Sequence, residues 1–245
     1  MKENVKKYGL IGKSLSHSFS KKYFTEKFRR ESLSATYHNI EILDESDLKT
    51  ALSYDFSGFN VTMPYKEKII EFLDHLSPEA HEIGAVNTIQ VKEGKWIGHN
   101  TDVFGFQQMI KPFFESQHER ALIIGTGGAS KAVAFVLERL GVSVIYLSRH
   151  PKNANEFSYD DLNENMVKFN GIIVNTTPIG MFPEVDAFIN IPFEALTDRH
   201  LVVDLIYNPE ETVFLKKSKE QGVKTINGLT MLHQQAEQAW KIWNQ

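Results

Sequence analysis

Gly125-Thr126-Gly127-Gly128-Ala129-Ser130 is the stretch on which the fold reading turns. An apolar run, Arg120 to Ile124, precedes it and reads as a strand. Ala129 to Leu140 follows, with Val133, Val136, Leu137 and Leu140 at i, i+3, i+4 and i+7, one face of an amphipathic helix. Gly141 predicts the helix stop, and Val142 to Leu147 reads as a second strand. In such a unit the first glycine allows a tight turn and the next ones let a pyrophosphate approach the backbone. The helix N-terminus then offers N–H groups and a positive dipole end. Against the pattern G-x-G-x-x-G the third glycine is missing, and Ser130 stands in its place. A plain turn is the competing reading, and the flanking strand and helix weigh against it.

The end of the second strand refines the ligand. A binder of NAD places an acid there, on the ribose hydroxyls. This chain has Ser148-Arg149-His150-Pro151-Lys152 instead. The Arg149 guanidinium can fork onto a 2′-phosphate and stack on adenine, and Lys152 adds charge. The alternative is a solvated basic turn. The reading adopted is NADP rather than NAD.

The same alternation extends outward. Gly171 to Val174, Leu201 to Leu205 and Lys224 to Ile226 read as further strands. Upstream, Lys7 to Ile11, Tyr37 to Ile42, Gly58 to Thr62, Val86 to Val91 and Lys95 to His99 do so too, the last two flanking a Glu93-Gly94 hairpin turn. Phe19 to Leu33 is helical, and Pro64 fits the first turn of a helix that points Ile69, Ile70 and Leu73 inward. The chain ends in a helix from about Leu229, with Leu229, Leu232, Ala236, Trp240 and Trp243 as its apolar stripe. Repeated strand–helix–strand order predicts an α/β fold with mainly parallel sheets. The linker falls near Asp102 to Phe114.

Composition agrees. At roughly 150 residues per domain, the 245 residues allow one large domain or two small ones. No cysteine is present, which excludes disulfides, thiolate metal sites and a cysteine nucleophile. The net charge of −4 speaks against a nucleic-acid binder. The nine histidines show no paired metal spacing, so no metal is expected. Met1 to Lys7 does not read as a secretory leader and no run suits a membrane span, so a cytoplasmic protein is expected.

Polar residues mark the first half. Ser14, Ser16, Ser18 and Ser20 alternate after the first strand; Ser18 and Ser20 suit helix caps or a small carboxylate. Asn60-Val61-Thr62-Met63-Pro64-Tyr65-Lys66, Gly84-Ala85-Val86-Asn87-Thr88 and Asn100-Thr101-Asp102 put amides, hydroxyls, a lysine and an acid at strand ends. Singly, each is ordinary turn chemistry.

Together they resemble the shikimate dehydrogenases of the shikimate/quinate dehydrogenase family. Gly12 to Ser20 with His17, the three blocks just quoted, the Gly125 loop, Asn175-Thr176-Thr177-Pro178-Ile179-Gly180-Met181, Asp204 to Tyr207, and Gly228 with Met231-Leu232 and Gln235-Ala236 occur in that family's order. The resemblance spans essentially the whole chain. It implies reversible reduction of 3-dehydroshikimate to shikimate with NADPH, on the route to chorismate and the aromatic amino acids.

It also implies two α/β domains facing each other across a cleft. Residues 1–102, completed by the C-terminal helix 229–245, would bind substrate, and residues 103–228 would form the Rossmann-type NADP domain. Ser18 and Ser20 would hold the substrate carboxylate, and Lys66 and Asp102 would flank the reacting oxygen. Asn60, Thr62, Asn87, Tyr207 and Gln235 would join them on the substrate. Gly125, Thr126, Gly127, Gly128 and Ala129 would cradle the pyrophosphate, with Ser148, Arg149 and Lys152 on the 2′-phosphate side. Thr176, Met181, Leu205 and Gly228 would line the nicotinamide side.

The residue types suit the chemistry. A ketone that accepts hydride needs a proton and a cation nearby, and Lys66 supplies both. A polyol substrate explains the hydroxyl- and amide-bearing residues. Ser148 stands where the family more often has Asn, His150 where Thr is frequent, and Thr230 where a small residue is common. The alternatives are a quinate/shikimate dehydrogenase preferring NAD and, more remotely, a non-catalytic binding protein on this scaffold. Small-molecule partners and a monomer or homodimer are expected. Replacing Arg149 by Ala should weaken NADP far more than NAD in kcat/KM comparisons, and equal losses would remove the cofactor argument.

Overall fold

The computed structural model describes residues 5–16 and 18–245; residues 1–4 of the leader reading, and His17 of the resemblance, lie outside the described residues. The chain divides into two compact units, Met1–Thr101 with Ala236–Gln245, and Asp102–Gln235.

The first unit runs β1 (Lys6–Gly12), α1 (Phe19–Arg30), β2 (Ala35–Glu41), α2 (Leu48–Leu52), β3 (Gly58–Val61), β4 (His75–Leu76), α3 (Pro78–Ile83), β5 (Thr88–Lys92) and β6 (Lys95–His99). The sheet order is β2-β1-β3-β5-β6-β4. β1 pairs parallel with β2 and β3, and β4 parallel with β6. β5 is antiparallel to both neighbours. The β5–β6 turn is Glu93-Gly94 as expected, with φ of 54° and 75°, the doubly positive pair that lets a two-residue loop follow the twist of its strands.

The helix expected at Pro64 does not begin there. Thr62 N–H bonds Ile11 O, Tyr65 N–H bonds Thr62 O, and Val86 N–H bonds Lys66 O. These bonds hold the chain as a turn until a short 3₁₀ stretch at Lys68–Phe72. Of Ile69, Ile70 and Leu73, only Ile69 is fully buried.

An aromatic cluster closes this unit: Tyr8, Phe24, Phe28, Tyr37, Trp240 and Trp243. Trp243 stacks on Tyr8 at 4.7 Å between centroids. Its indole lies on the backbone of Gly58, and its N–H donates to Ile89 O at 3.0 Å. Gln90 donates to Ile242 O at 2.7 Å. Buried Lys27 meets both Glu237 oxygens at 3.0 Å. Thus the last residues of the chain cover the sheet that the first residues began.

The second unit runs α4 (Asp102–Ile110), β7 (Arg120–Ile124), α5 (Gly128–Arg139), β8 (Ser143–Leu147), β9 (Glu156–Phe157), α6 (Glu164–Phe169), β10 (Ile172–Asn175), β11 (Leu201–Asp204), α7 (Val213–Lys219), β12 (Lys224–Asn227) and the start of α8 (Leu229–Trp243). Its sheet is wholly parallel, in the order β12-β11-β10-β7-β8-β9. The two strand series run in opposite directions from β7 and β10, the doubly wound arrangement. Both faces are covered, one by Phe106, Val133 and Leu137, the other by Phe193, Phe214 and Leu215. This is why the central strands are continuously apolar.

Two apolar expectations are corrected. Leu140 is 40% exposed, because α5 ends at Arg139 and Leu140 is its C-cap. The stripe on α8 is not single: Leu229 is exposed, whereas Met231, Ala236, Ala239, Ile242 and Trp243 are buried. Met231 belongs to the second unit's core and Ala236 onward to the first, so no one face serves the whole helix.

Trp243→Ala should cost about 3–5 kcal/mol, the range for truncating a buried aromatic. Urea unfolding of the two proteins checks it.

Candidate functional site

In the second unit the glycine loop lies at the carboxyl end of β7, at the switch point between β7 and β10. Gly125 has φ of +106°, and an added Cβ would stand 2.8 Å from Thr176 Oγ1. Thr176 gives Ile124 O two bonds, from its N–H at 3.0 Å and its hydroxyl at 2.7 Å. Gly127 is the N-cap of α5, and nothing lies within 4 Å of where its Cβ would be. The first turn of α5 holds no acid, and its leading N–H groups have no acceptor within the helix. Ser130, at the missing third glycine, is buried and donates to Gly127 O at 2.6 Å. A small side chain folded back onto the turn thus replaces the glycine.

Arg149 is exposed at the end of β8, and its charge acts on the Tyr159 hydroxyl. Ser148 is buried, and its Oγ accepts from His150 N–H at 3.1 Å. It therefore shapes the turn that presents Arg149. The basic turn also carries an acid that the sequence reading missed. Glu156 accepts from Lys152 N–H at 2.9 Å and from the Asn153 amide at 2.5 Å. Its carboxylate is occupied by the turn's own donors. Lys152 itself is exposed.

Thr176, Met181, Leu205 and Gly228 come from three strand ends of this sheet. Gly228 approaches Leu205 so closely that a Cβ would lie 2.0 Å from Leu205 O. Tyr207 is half-buried, and burial raises its hydroxyl above the ordinary tyrosine value. Gln235 is buried, with its amide on Leu232 O at 3.0 Å. Asp102 is buried at the start of α4.

In the first unit the polar motifs form one network. Ser20 is half-buried in the first turn of α1, and the Tyr37 hydroxyl donates to Asn60 Oδ1 at 2.8 Å. The Asn60 amide donates to Asn87 O and Thr88 Oγ1. Asn87 Oδ1 accepts from Thr101 N–H at 2.7 Å and from the Thr101 and Thr88 hydroxyls. Asn100 donates to Ala85 O. Burial pushes the Tyr37 hydroxyl well above its ordinary value, so it stays a donor.

Asn60 is held within the first unit: its amide bonds Asn87 and Thr88 and its oxygen accepts from Tyr37, so it braces the wall. Ser18 is the N-cap of α1, accepting from Lys21 N–H at 3.3 Å, and its own hydrogen remains to be directed elsewhere. Lys66 and Thr62 are half-buried on the turn after β3. Tyr37 and Thr88 were not singled out as site residues because each sits inside a strand, where sequence alone reads as sheet. Among the described residues no group of His, Asp and Glu suits a metal ion.

Fold order and loop chemistry define a two-unit α/β protein with a Rossmann-type dinucleotide site. The comparisons give the family. The model described as the shikimate dehydrogenase substrate binding domain matches residues 10–89. The chain is 39% identical over 258 aligned residues to the shikimate dehydrogenase (NADP(+)) of Desulforamulus reducens, covering 96% of this chain and 88% of that protein. Shikimate dehydrogenase from Aquifex aeolicus superposes with a TM-score of 0.89 at 35% identity, over 100% and 94% of the two chains. The Thermus thermophilus enzyme, crystallised with NADP(H) and shikimate, gives 0.83 at 31%, over 97% and 93%. The chain belongs to the shikimate dehydrogenase family.

Gly228→Ala should destabilise by about 1–3 kcal/mol through backbone overpacking. Gly127→Ala should cost no more than about 1 kcal/mol, the usual loss for alanine at an N-cap, yet weaken NADP+ binding, since its methyl would enter open space at the helix start. Urea unfolding and calorimetry separate the two effects.

Proposed function

We propose that this chain reduces 3-dehydroshikimate to shikimate reversibly with NADPH, as an oxidoreductase of chorismate and aromatic amino-acid biosynthesis. The observation that carries the reading is the likeness to NADP-dependent shikimate dehydrogenases along nearly the whole chain. The matched substrate-binding model covers Asn60 to Lys66, and a basic turn stands where an NAD binder would have an acid. The basic turn counts against the NAD-preferring quinate enzyme.

In this reading residues 1–102 with helix 229–245 hold the substrate, and residues 103–228 hold NADP. The Gly125–Ala129 loop takes the pyrophosphate on the α5 N–H groups, and Arg149 and Lys152 take the 2′-phosphate. Thr176, Met181, Leu205 and Gly228 border the nicotinamide, whose reduced form supplies a hydride. Lys66 donates the proton to the carbonyl oxygen as it becomes an alcohol and removes it in the reverse direction. Asp102 holds a neighbouring hydroxyl and orients the lysine. Ser18 and Ser20 receive the carboxylate, and Thr62, Asn87, Tyr207 and Gln235 read the hydroxyls. Asn60 acts by fixing Asn87 and Tyr37. Such a wall of hydrogen-bonding groups rejects analogues that leave them unpaired.

Among the described residues no helix is long and apolar enough to cross a membrane. The reading includes a cytoplasmic location, small-molecule partners without nucleic acid, and a monomer or homodimer. Purified protein should reduce NADP+ with shikimate faster than NAD+ with quinate. Lys66→Ala should lower kcat by about 100-fold or more while still binding shikimate. A Lys66→Ala protein with full turnover would reject the proton-transfer role.

A further inference from the structure

Asp204 has no part in the proton or hydride chemistry above, yet it accepts three hydrogen bonds inside the second unit. It ends β11 and is fully buried. Its Oδ1 accepts from the Asn175 amide at 3.0 Å and from Ile206 N–H at 3.0 Å. Its Oδ2 accepts from Thr212 Oγ1 at 2.7 Å. Each donor leads into a different segment. Asn175 Oδ1 in turn accepts from Thr177 N–H and the Thr177 hydroxyl, which sets the turn carrying Thr176 against Gly125. Ile206 O accepts from Gly228 N–H, beside the close approach of Gly228 to Leu205. Thr212 Oγ1 caps α7 by accepting from Leu215 N–H at 3.2 Å.

We propose that Asp204 is the positioning residue of the nicotinamide-side wall: its carboxylate holds the turn after β10, the turn after β11 and the start of α7 in one arrangement. The inference rests on the functional reading of that wall. Asp204 touches neither substrate nor cofactor, being wholly enclosed, so it acts through Thr176, Leu205 and Gly228. A carboxylate suits the task because it accepts on both oxygens. An asparagine would turn one acceptor into a donor, facing a Thr212 hydroxyl that already accepts a cap bond. Burial pushes the carboxyl up to about 6, and the three donors oppose that rise. The acid is thus retained against a desolvation cost, and hydrogen bonds from three segments offset it.

The experiment compares Asp204→Asn, Thr212→Val and Thr212→Ser with the unchanged protein. Calorimetry measures the affinity of NADP+ and of adenosine 2′,5′-bisphosphate, a probe that carries the 2′-phosphate and the first phosphate of the pyrophosphate but no nicotinamide. Turnover of shikimate with NADP+ gives kcat. Asp204→Asn and Thr212→Val should each reduce the advantage of NADP+ over the bisphosphate, and kcat, by about tenfold, since small misplacements of bound groups carry penalties of that order or larger. Bisphosphate affinity should hold, and Thr212→Ser, which keeps the hydroxyl, should restore both quantities. A folded Asp204→Asn with unchanged ratio and kcat overturns the proposal. So does an equal loss for both ligands, which marks a purely structural role. If Asp204→Asn does not fold, the Thr212 pair decides alone. Absence of turnover in the unchanged protein refutes the functional reading, while the binding ratio still tests the positioning role.

Discussion

Ile124 and Thr176 meet at the carboxyl ends of two neighbouring parallel strands, and the second unit is arranged around that junction. Thr176 gives both its N–H and its hydroxyl to the same carbonyl. The bonds bring the turn after β10 directly against Gly125, where only a glycine tolerates both the φ of +106° and the crowding. The strand order reverses at this pair of strands, so their connections leave in opposite directions and open a crevice. The loop, the start of α5 and the turns after β10 and β11 border that crevice because the sheet is parallel. In a parallel sheet every strand delivers its carboxyl end to the same edge.

The first unit rests on a comparable constraint of packing. β3 is buried throughout and carries a glycine where the Trp243 indole lies. The last helix therefore docks on the same strand whose end turns into Thr62 and Lys66. The amide and hydroxyl network from Tyr37 through Asn60 to Asn87 and Thr101 then fixes the polar wall. A buried network of this kind has to be satisfied throughout, since each unpaired member would cost a desolvation penalty.

Much of this was legible beforehand, and the legible parts are local. The glycine loop between strand and helix, the Glu93-Gly94 hairpin and the central parallel strands follow from spacing and backbone preference within a few residues. The motif order was equally visible, and it led to the family. The helices α6 and α7 and the short β9 were not foreseen, because segments of two to seven residues show too little periodicity to separate from loop. Leu140 and Leu229 looked like core residues by spacing, yet helix ends and a change of partner along α8 leave them exposed.

Sequence by itself therefore determined the class of fold, the position of the dinucleotide loop and the residue types available for proton transfer, because these depend on near neighbours in the chain. Tertiary structure alone decided which polar groups are spent. It committed the Asn60 donors to Asn87 and Thr88, set Ser148 under the Arg149 turn, occupied Glu156 with that turn's N–H groups, and gathered three segments onto Asp204. A hydrogen bond is a short-range, directional interaction. Whether a side chain is available to a ligand thus depends on partners dozens of residues away, which only the folded chain brings within 3 Å or so of it.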